Sequence, residues 1–476
     1  MARSRTSSDL ELLLPLRRGG RSPLHRQLEH GLRDAIRSGR LAPGATLPSS
    51  RALAAQLDVS RGVVVEAYEQ LVAEGYLVTR RGGTTRVARP ATLDSVRRAA
   101  PAVPAFDIDV RPGRPDVGLF PRDVWLRSVR RVLNEAPSER LSYIDGRGIP
   151  ELRAALAAYL NRVRGTAADA DDLVICAGFT QGLRLVARVL RTSGARRIAL
   201  EVPGQDEARA TVAEAGLEVV SIPVDEAGIR VELVEAADPD AVLVTSAHQY
   251  PTGAVLPPER RAALVAWARR RGRLIVEDDY DAEFRYDREP IGAMHGLERD
   301  HVVYVGSASK ILAPGLRLGW LVVPPAISDQ VAKAKKAADL GSAAIDQLAF
   351  ADFVSRGELD RHLRRMRPIY RRRRDALIAA LRRHLPDLEP VGASAGLHVL
   401  VWLPETTDGG AIAAAAEAAG IGLETYATAG LDGTNRVGII FGYGVVDERT
   451  IDDGMGRLAG VLASARAAAG AATIVA

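Results

Sequence analysis

Apolar residues recur at two periods along this chain, and the change of period divides it. After Pro23, the residues Leu24, Leu28, Leu32 and Ile36 stand four apart, which places them on one face of a helix that Gly39 would stop. A turn-rich connector, Leu41-Ala-Pro-Gly-Ala-Thr-Leu-Pro48, follows. Ser49-Ser50 can cap a second helix, Arg51 to Leu57, whose Leu53 and Leu57 face inward. Asp58-Val59-Ser60 is a tight turn, and Ser60 caps a third helix that runs through Glu74 to Gly75. Two short helices joined by a three-residue turn form helix-turn-helix geometry, whose second helix lies in the major groove. Tyr76 to Val87 then reads as two short strands around Arg81-Gly82-Gly83. Gly lets that backbone approach a phosphate, and the flanking arginines supply charge.

Residues 89–105 are rich in Pro and Ala and lack an apolar period, the composition of a proline-stiffened linker. From about Phe106 onward, short β-branched runs alternate with amphipathic helical patterns. The runs are Leu173-Val-Ile, Arg197-Ile-Ala-Leu-Glu-Val, Ala241-Val-Leu-Val, Leu274-Ile-Val-Glu and Val302-Val-Tyr-Val. Such alternation predicts an α/β fold with a mostly parallel sheet and ligands at the carboxyl ends of its strands. The expected organisation is a small helical unit over 1–88, a linker over 89–105 and a large α/β body over 106–476. The Ala-rich stretch from Leu458 to Ala476 is expected to fray beyond its helix.

At 476 residues the chain is long enough for two to four folding units. Its 47% hydrophobic and 26% charged residues exclude a largely disordered or collagen-like chain. No apolar stretch reaches the roughly 18 residues that span a bilayer. Leu12-Leu13-Leu14 is broken by Pro15 and followed by Arg17-Arg18, which argues against an export signal and for a cytoplasmic protein. The single cysteine, Cys176, excludes an intramolecular disulfide framework and a multi-cysteine zinc site. Residues 1–90 hold fifteen Arg, no Lys and eight acidic residues, a net +7, which leaves −2 for the rest of a chain whose total is +5. A basic segment on a near-neutral body suits an anion-binding module, with nucleic acid the obvious anion, although a solvated basic surface would have the same composition.

Candidate chemistry falls at the strand ends. Gly178-Phe-Thr-Gln-Gly182 is a strand-to-helix turn whose free amides suit a phosphate. Asp278-Asp-Tyr280 offers a carboxylate and a phenol, and Gly306-Ser-Ala-Ser-Lys310 with Gly315-Leu-Arg317 offers an amine near an anion site. Each is weak alone. Together they ask for one ligand with a phosphate, a basic ring nitrogen, a phenolic oxygen and an aldehyde, and pyridoxal 5′-phosphate has all four. Its aldehyde needs an amine, and its pyridinium needs an acid that keeps the ring an electron sink.

The stretch "PLHRQLEHGLRDAIRSGRLAPGATLPSSRALAAQLDVSR" with "AYEQLVAEGYLVTRRGGTTRV" resembles the winged-helix DNA-binding domain of the GntR family. Behind it, "YIDGRGIPELR", "HQYPTGAVLPPERR", "EDDYDAEFRY" and "SASKILAPGLRLGW" resemble fold-type I aminotransferases. The combination resembles the MocR subfamily of transcription regulators. The resemblance implies that Arg51, Ser60 and Arg61 contact DNA, with Gly83 near the wing tip. It implies a Schiff base to pyridoxal 5′-phosphate on Lys310, with Asp278 at the pyridine nitrogen and Tyr280 at the phenolic oxygen. Ser307, Ser309, Arg317, Phe179 and Thr180 would hold the phosphate, Tyr143 would reach in from a partner subunit, and Tyr250 stands where aminotransferases place Asn. Arg436 would receive the α-carboxylate of an amino-acid effector.

Two departures stand out. Gln205 replaces the aromatic that usually follows Pro-Gly and stacks on the cofactor ring, and Asp58 stands where Gly is usual. The expectation is a regulator that binds an operator of two half-sites in double-stranded DNA as a head-to-tail homodimer. It would sense pyridoxal phosphate, or an amine or amino acid reacting with it. Two alternatives remain open, an aminotransferase with an accessory DNA-binding domain and a repressor whose body is a cofactor-free dimerisation scaffold.

Overall fold

The computed structural model describes residues 16–19, 22–79, 84–88, 106–286, 291–404, 407–428 and 436–475. The chain divides into two compact units, Met1–Val103 and Pro104–Ala476.

The first unit holds three helices, α1 (Leu24–Arg37), α2 (Ser50–Leu57) and α3 (Arg61–Ala73), then the strands β1 (Leu77–Thr79) and β2 (Thr85–Val87). The strands pair antiparallel, Leu77 opposite Val87. Leu28 and Leu32 of α1 pack with Leu53, Val64, Leu71, Leu77 and Val87 in one core, so the apolar stripe read from the sequence is the buried face. The Ser49 hydroxyl accepts from the Ala52 amide at 3.2 Å and the Ser60 hydroxyl from the Val63 amide at 3.4 Å. Such caps each contribute about 1 kcal/mol. Between the two helices Asp58 takes φ 50°, a left-handed conformation that Asp tolerates far better than a branched residue. The turn therefore survives without glycine.

The second unit is built on a mixed sheet. Its strands in chain order are β3 (Ile108–Asp109), β4 (Leu173–Cys176), β5 (Arg197–Val202), β6 (Glu218–Asp225), β7 (Gly228–Ile229), β8 (Ala241–Val244), β9 (Leu274–Asp278), β10 (Val302–Ser307) and β11 (Gly319–Val322). The large sheet has the order β4-β11-β10-β9-β8-β5-β6-β7. Neighbours from β10 to β6 run parallel, while β11 runs antiparallel to both β10 and β4. All five apolar runs picked out in the sequence are strands of this sheet. Helices α4 (Arg122–Glu135), α5 (Pro150–Arg164), α6 (Phe179–Thr192) and α7 (Asp206–Glu214) belong to the same unit.

A second, antiparallel sheet follows near the C-terminus, with β12 (Pro390–Val391), β13 (His398–Trp402), β15 (Glu424–Ala427) and β16 (Val437–Gly442) in the order β12-β13-β16-β15. The strand β14 (Ile421–Gly422) pairs parallel with β3, which ties this part of the chain to the start of the body. The last helix runs from Glu448 to Val475, through the Ala-rich stretch, alanine being the strongest helix former. No helix among the described residues is long and apolar enough to cross a membrane.

Under the sheet's carboxyl edge lies a buried ion pair. Arg164, at the end of α5, donates to Asp279 at 2.7 Å, and the Tyr304 hydroxyl donates to the same carboxylate oxygen at 2.7 Å. Both charged side chains are almost wholly buried. The pair therefore fixes the chain just after β9, where the candidate chemistry begins.

Candidate functional site

In the first unit Arg51, Ser60 and Arg61 are exposed at the starts of α2 and α3. The Arg61 guanidinium donates to the Ser50 hydroxyl at 3.4 Å, so the structure brings the two helix N-termini together. That arrangement offers a cation and free first-turn amides to one anionic surface. Gly83 lies outside the described residues.

In the body, strands β9 and β10 end at Asp278 and Ser307, beside a cavity of about 380 Å³. Phe179, Thr180, Tyr250, Asp278, Tyr280, Ser307, Ser309, Lys310 and Arg317 all line it. Nine residues chosen from separate sequence motifs thus meet in one cleft. Strand alternation explains the choice between neighbouring acids. Glu277 faces away, accepting from the Ser246 hydroxyl at 2.6 Å and the Met294 amide at 2.9 Å, while Asp278 turns inward.

At one end Gly178 takes φ 106° and opens α6 without any side-chain cap, leaving first-turn amides for an anion. A Cβ at Gly178 would make only ordinary contact with the Arg317 guanidinium, at 3.4 Å, so it is the positive φ that calls for glycine here. Arg317, itself at φ 51°, donates to the Ala177 carbonyl beneath it. The Ser307 hydroxyl accepts from the Ser309 amide at 3.0 Å and donates to the Ser309 hydroxyl at 2.8 Å. A cation, two hydroxyls and a helix N-terminus make a phosphate-shaped corner.

In the middle stands Lys310, whose amine donates to the Gly113 carbonyl at 2.5 Å. Burial lowers its pKa against the opposing pull of Asp281, Asp278, Glu207 and Glu424, and a neutral amine is the nucleophilic form. Burial likewise raises Asp278 well above the usual carboxylate range, opposed by a hydrogen bond from Gln205. The Gln205 amide donates to one Asp278 oxygen at 3.0 Å. A buried carboxylate of this kind is stabilised by a ligand that brings a protonated nitrogen.

A relay stands behind Tyr280. His248 Nδ1 is 3.1 Å from Asp281 and 3.0 Å from the Tyr280 hydroxyl, and Nε2 is 3.3 Å from the Gly392 carbonyl. Burial acts to lower the His248 pKa, but Asp281 and the hydrogen bonds outweigh it and raise it. The carboxylate and the carbonyl can only accept, so a neutral His248 would serve one of them and a protonated His248 both. Burial, followed by Asp281 and Asp278, holds the Tyr280 phenol well above its ordinary value.

The structure does not bring Arg436 to this cleft. Its guanidinium lies 4.4 Å from the Trp402 ring centroid and lines a different cavity, with Val202, Pro203 and Thr428. The cause is local: the Arg436 carbonyl accepts from the Thr428 amide at 2.8 Å at the start of β16, and the side chain leaves that position toward Trp402, where it stacks. Among the described residues Arg436 therefore stands outside the lining of the cleft. Tyr143 is 87% exposed and lines no part of its own chain's cleft. Sequence reasoning missed Glu207, His398 and Glu424, which also line the cavity. They carry no motif.

Fold and site together define a winged-helix unit joined to a body of the aminotransferase type. The family "Bacterial regulatory proteins, gntR family" matches residues 24–87, and "Aminotransferase class I and II" matches residues 116–436. The chain is 32% identical over 469 residues, 94% of its length and 95% of the relative's, to "Probable rhizopine catabolism regulatory protein MocR" of Rhizobium meliloti. It is 33% identical to "HTH-type pyridoxine biosynthesis transcriptional regulator PdxR" of Corynebacterium glutamicum, over 89% of this chain and 93% of that one. The multiple substrate aminotransferase of Thermococcus profundus, a solved structure, matches 77% of this chain and 93% of its own with a TM-score of 0.68 and 28% identity. The chain belongs to the MocR-like subfamily of GntR-family transcription regulators.

Proposed function

We propose that this chain is a cytoplasmic, DNA-binding transcription regulator that holds pyridoxal 5′-phosphate in the cleft of its body, attached to Lys310. One observation carries the reading: an amine, a buried carboxylate and an arginine beside an uncapped helix N-terminus line a single cavity. When bound, the cofactor supplies an aldehyde and an electron-poor ring. Asp278 would hold the proton on the ring nitrogen, Tyr280 would donate to the phenolic oxygen, and Ser307, Ser309, Arg317 and the amides at Phe179 and Thr180 would receive the phosphate. Tyr250 lies beside Tyr280, ring centroids 6.3 Å apart, and closes the cleft on that side.

On the DNA side Arg51, Ser60, Arg61 and Gly83 would meet the duplex. A head-to-tail homodimer would present two such units to two half-sites and bring Tyr143 to the partner's cleft. Leu126 and Leu133, seven apart on α4, and Leu141 are each more than half exposed, apolar area that a second copy would cover. What the chain senses is pyridoxal phosphate itself or an amine that reaches it. The names of relatives point both ways, one to pyridoxine biosynthesis and one to rhizopine catabolism.

The test is to add pyridoxal phosphate to the purified chain, reduce with borohydride and map the product by mass spectrometry. The expected result is a visible absorption band that reduction removes, with the added mass on the peptide carrying Lys310. A chain that stays colourless and carries no added mass contradicts the proposal.

A further inference from the structure

Tyr280 does not stand alone in the wall of the cleft. Its hydroxyl lies 3.0 Å from His248 Nδ1, and the same nitrogen lies 3.1 Å from an Asp281 carboxylate oxygen. His248 follows β8 and Asp281 follows β9, two strands that pair in parallel, so the sheet carries both to one place. His248 and Asp281 are each 2% exposed. Gly396, at φ 79°, makes the room: a side-chain carbon there would overlap both of them. The Gly396 carbonyl is itself held, accepting from the Tyr286 hydroxyl at 2.8 Å and the Tyr443 hydroxyl at 2.6 Å.

The position of one proton follows from these contacts. The Asp281 carboxylate can only accept, so its approach to Nδ1 calls for a proton on that nitrogen, since a lone pair there would be repelled. This holds for a neutral ring protonated at Nδ1 and for a charged ring, which would also serve the Gly392 carbonyl, 3.3 Å from Nε2. In either form Nδ1 has no lone pair left to take the Tyr280 proton. The charged and titratable neighbours leave this intact. The His398 ring centroid is 5.0 Å from that of His248, and its Nε2 donates to the Pro251 carbonyl at 3.2 Å. Burial, followed by His248, pushes the His398 pKa down to about 3, so His398 is neutral. Arg285 acts on His248 against Asp281, and Asp281 outweighs it.

We infer that Asp281, acting through His248, forms a positioning pair that turns the Tyr280 hydroxyl proton into the cleft, so that Tyr280 donates to the phenolic oxygen of the ligand. The inference rests on the cofactor reading above and deepens it. A donor held in this direction stabilises the negative form of that oxygen, and so lowers the pH at which the Schiff-base nitrogen on Lys310 gives up its proton.

The experiment titrates the full, cofactor-loaded chain with alkali and follows the visible band, whose change with pH reports that proton. The quantity read is the shift of the midpoint caused by Y280F, measured in the unaltered chain, in H248F and in D281N. Comparison within each background cancels any direct effect of the Asp281 charge or of a charged His248 ring on Lys310. In the unaltered chain Y280F should raise the midpoint by about one pH unit. In H248F and in D281N the same substitution should raise it by less than about half as much, because a hydroxyl that is no longer directed contributes less when removed. Where one background fails to take up the cofactor, the other decides. No cofactor band on the unaltered chain removes the cofactor reading and this inference with it. A normal band with no Y280F shift in the unaltered chain, or with the full shift retained in H248F or D281N, overturns the inference alone.

Discussion

The winged-helix unit and the body use their functional residues in opposite ways. In the first unit Arg51, Ser60 and Arg61, the residues proposed to meet DNA, are exposed and come from a stretch of eleven positions. In the body, Asp278 is buried and Tyr280 half-buried, and their neighbours come from positions as far apart as Gly113, Lys310 and Glu424. A phosphate backbone is met by surface charge, which water and salt screen. A reactive aldehyde and a ring nitrogen are met by groups whose pKa values have been moved by burial.

The comparison can be broken most sharply at Lys310. Lys310→Ala should abolish borohydride-trapped cofactor entirely while the winged-helix unit keeps its helical structure, checked by mass spectrometry and circular dichroism on one sample. Next in size, Arg164→Met leaves Asp279 buried without its counter-ion and should cost the body about 3–5 kcal/mol. Denaturant unfolding should show the body's transition moving and that of the winged-helix unit staying in place. On the exposed side, Arg61→Ala should weaken DNA binding about tenfold and lower the slope of log affinity against log salt by about one if its partner is a phosphate. A loss confined to particular base changes would instead make it a base contact. Smallest, Gln205→Tyr restores a ring where the family usually stacks one, and should tighten cofactor binding by about 1 kcal/mol, roughly fivefold. Equilibrium titration with pyridoxal phosphate checks it. No tightening would mean that the Gln205 bond to Asp278 offsets the lost stacking.

What the sequence made legible follows from the same contrast. Helix caps and the apolar stripe of α1 are local features, so the helix-turn-helix could be read within about two residues, including a turn that lacks its usual glycine. The strand ends carrying Asp278 and Lys310 were legible because a motif sits on each apolar run. By contrast β11, inserted antiparallel between β4 and β10, opens on Gly319-Trp320 and lacks the β-branched run that marks the equally short β4 and β8. The bond from Gln205 to Asp278 joins positions 73 apart, and Glu424 reaches the cleft from a separate sheet. No periodicity encodes such meetings.

The central claim is that one chain couples cofactor chemistry at Lys310 to DNA reading by the winged helix, and one measurement addresses it directly. Duplexes selected from a random pool by the full chain would be labelled, and their binding followed by fluorescence anisotropy. The titration would be run without pyridoxal phosphate and with it, for the unaltered chain and for Lys310→Ala. Coupling requires that the ligand bind the two states of the protein with different affinity. The account predicts a DNA affinity that changes at least fivefold with ligand in the unaltered chain and not at all in Lys310→Ala. An affinity indifferent to ligand in the unaltered chain, or a response that persists without Lys310, would contradict it.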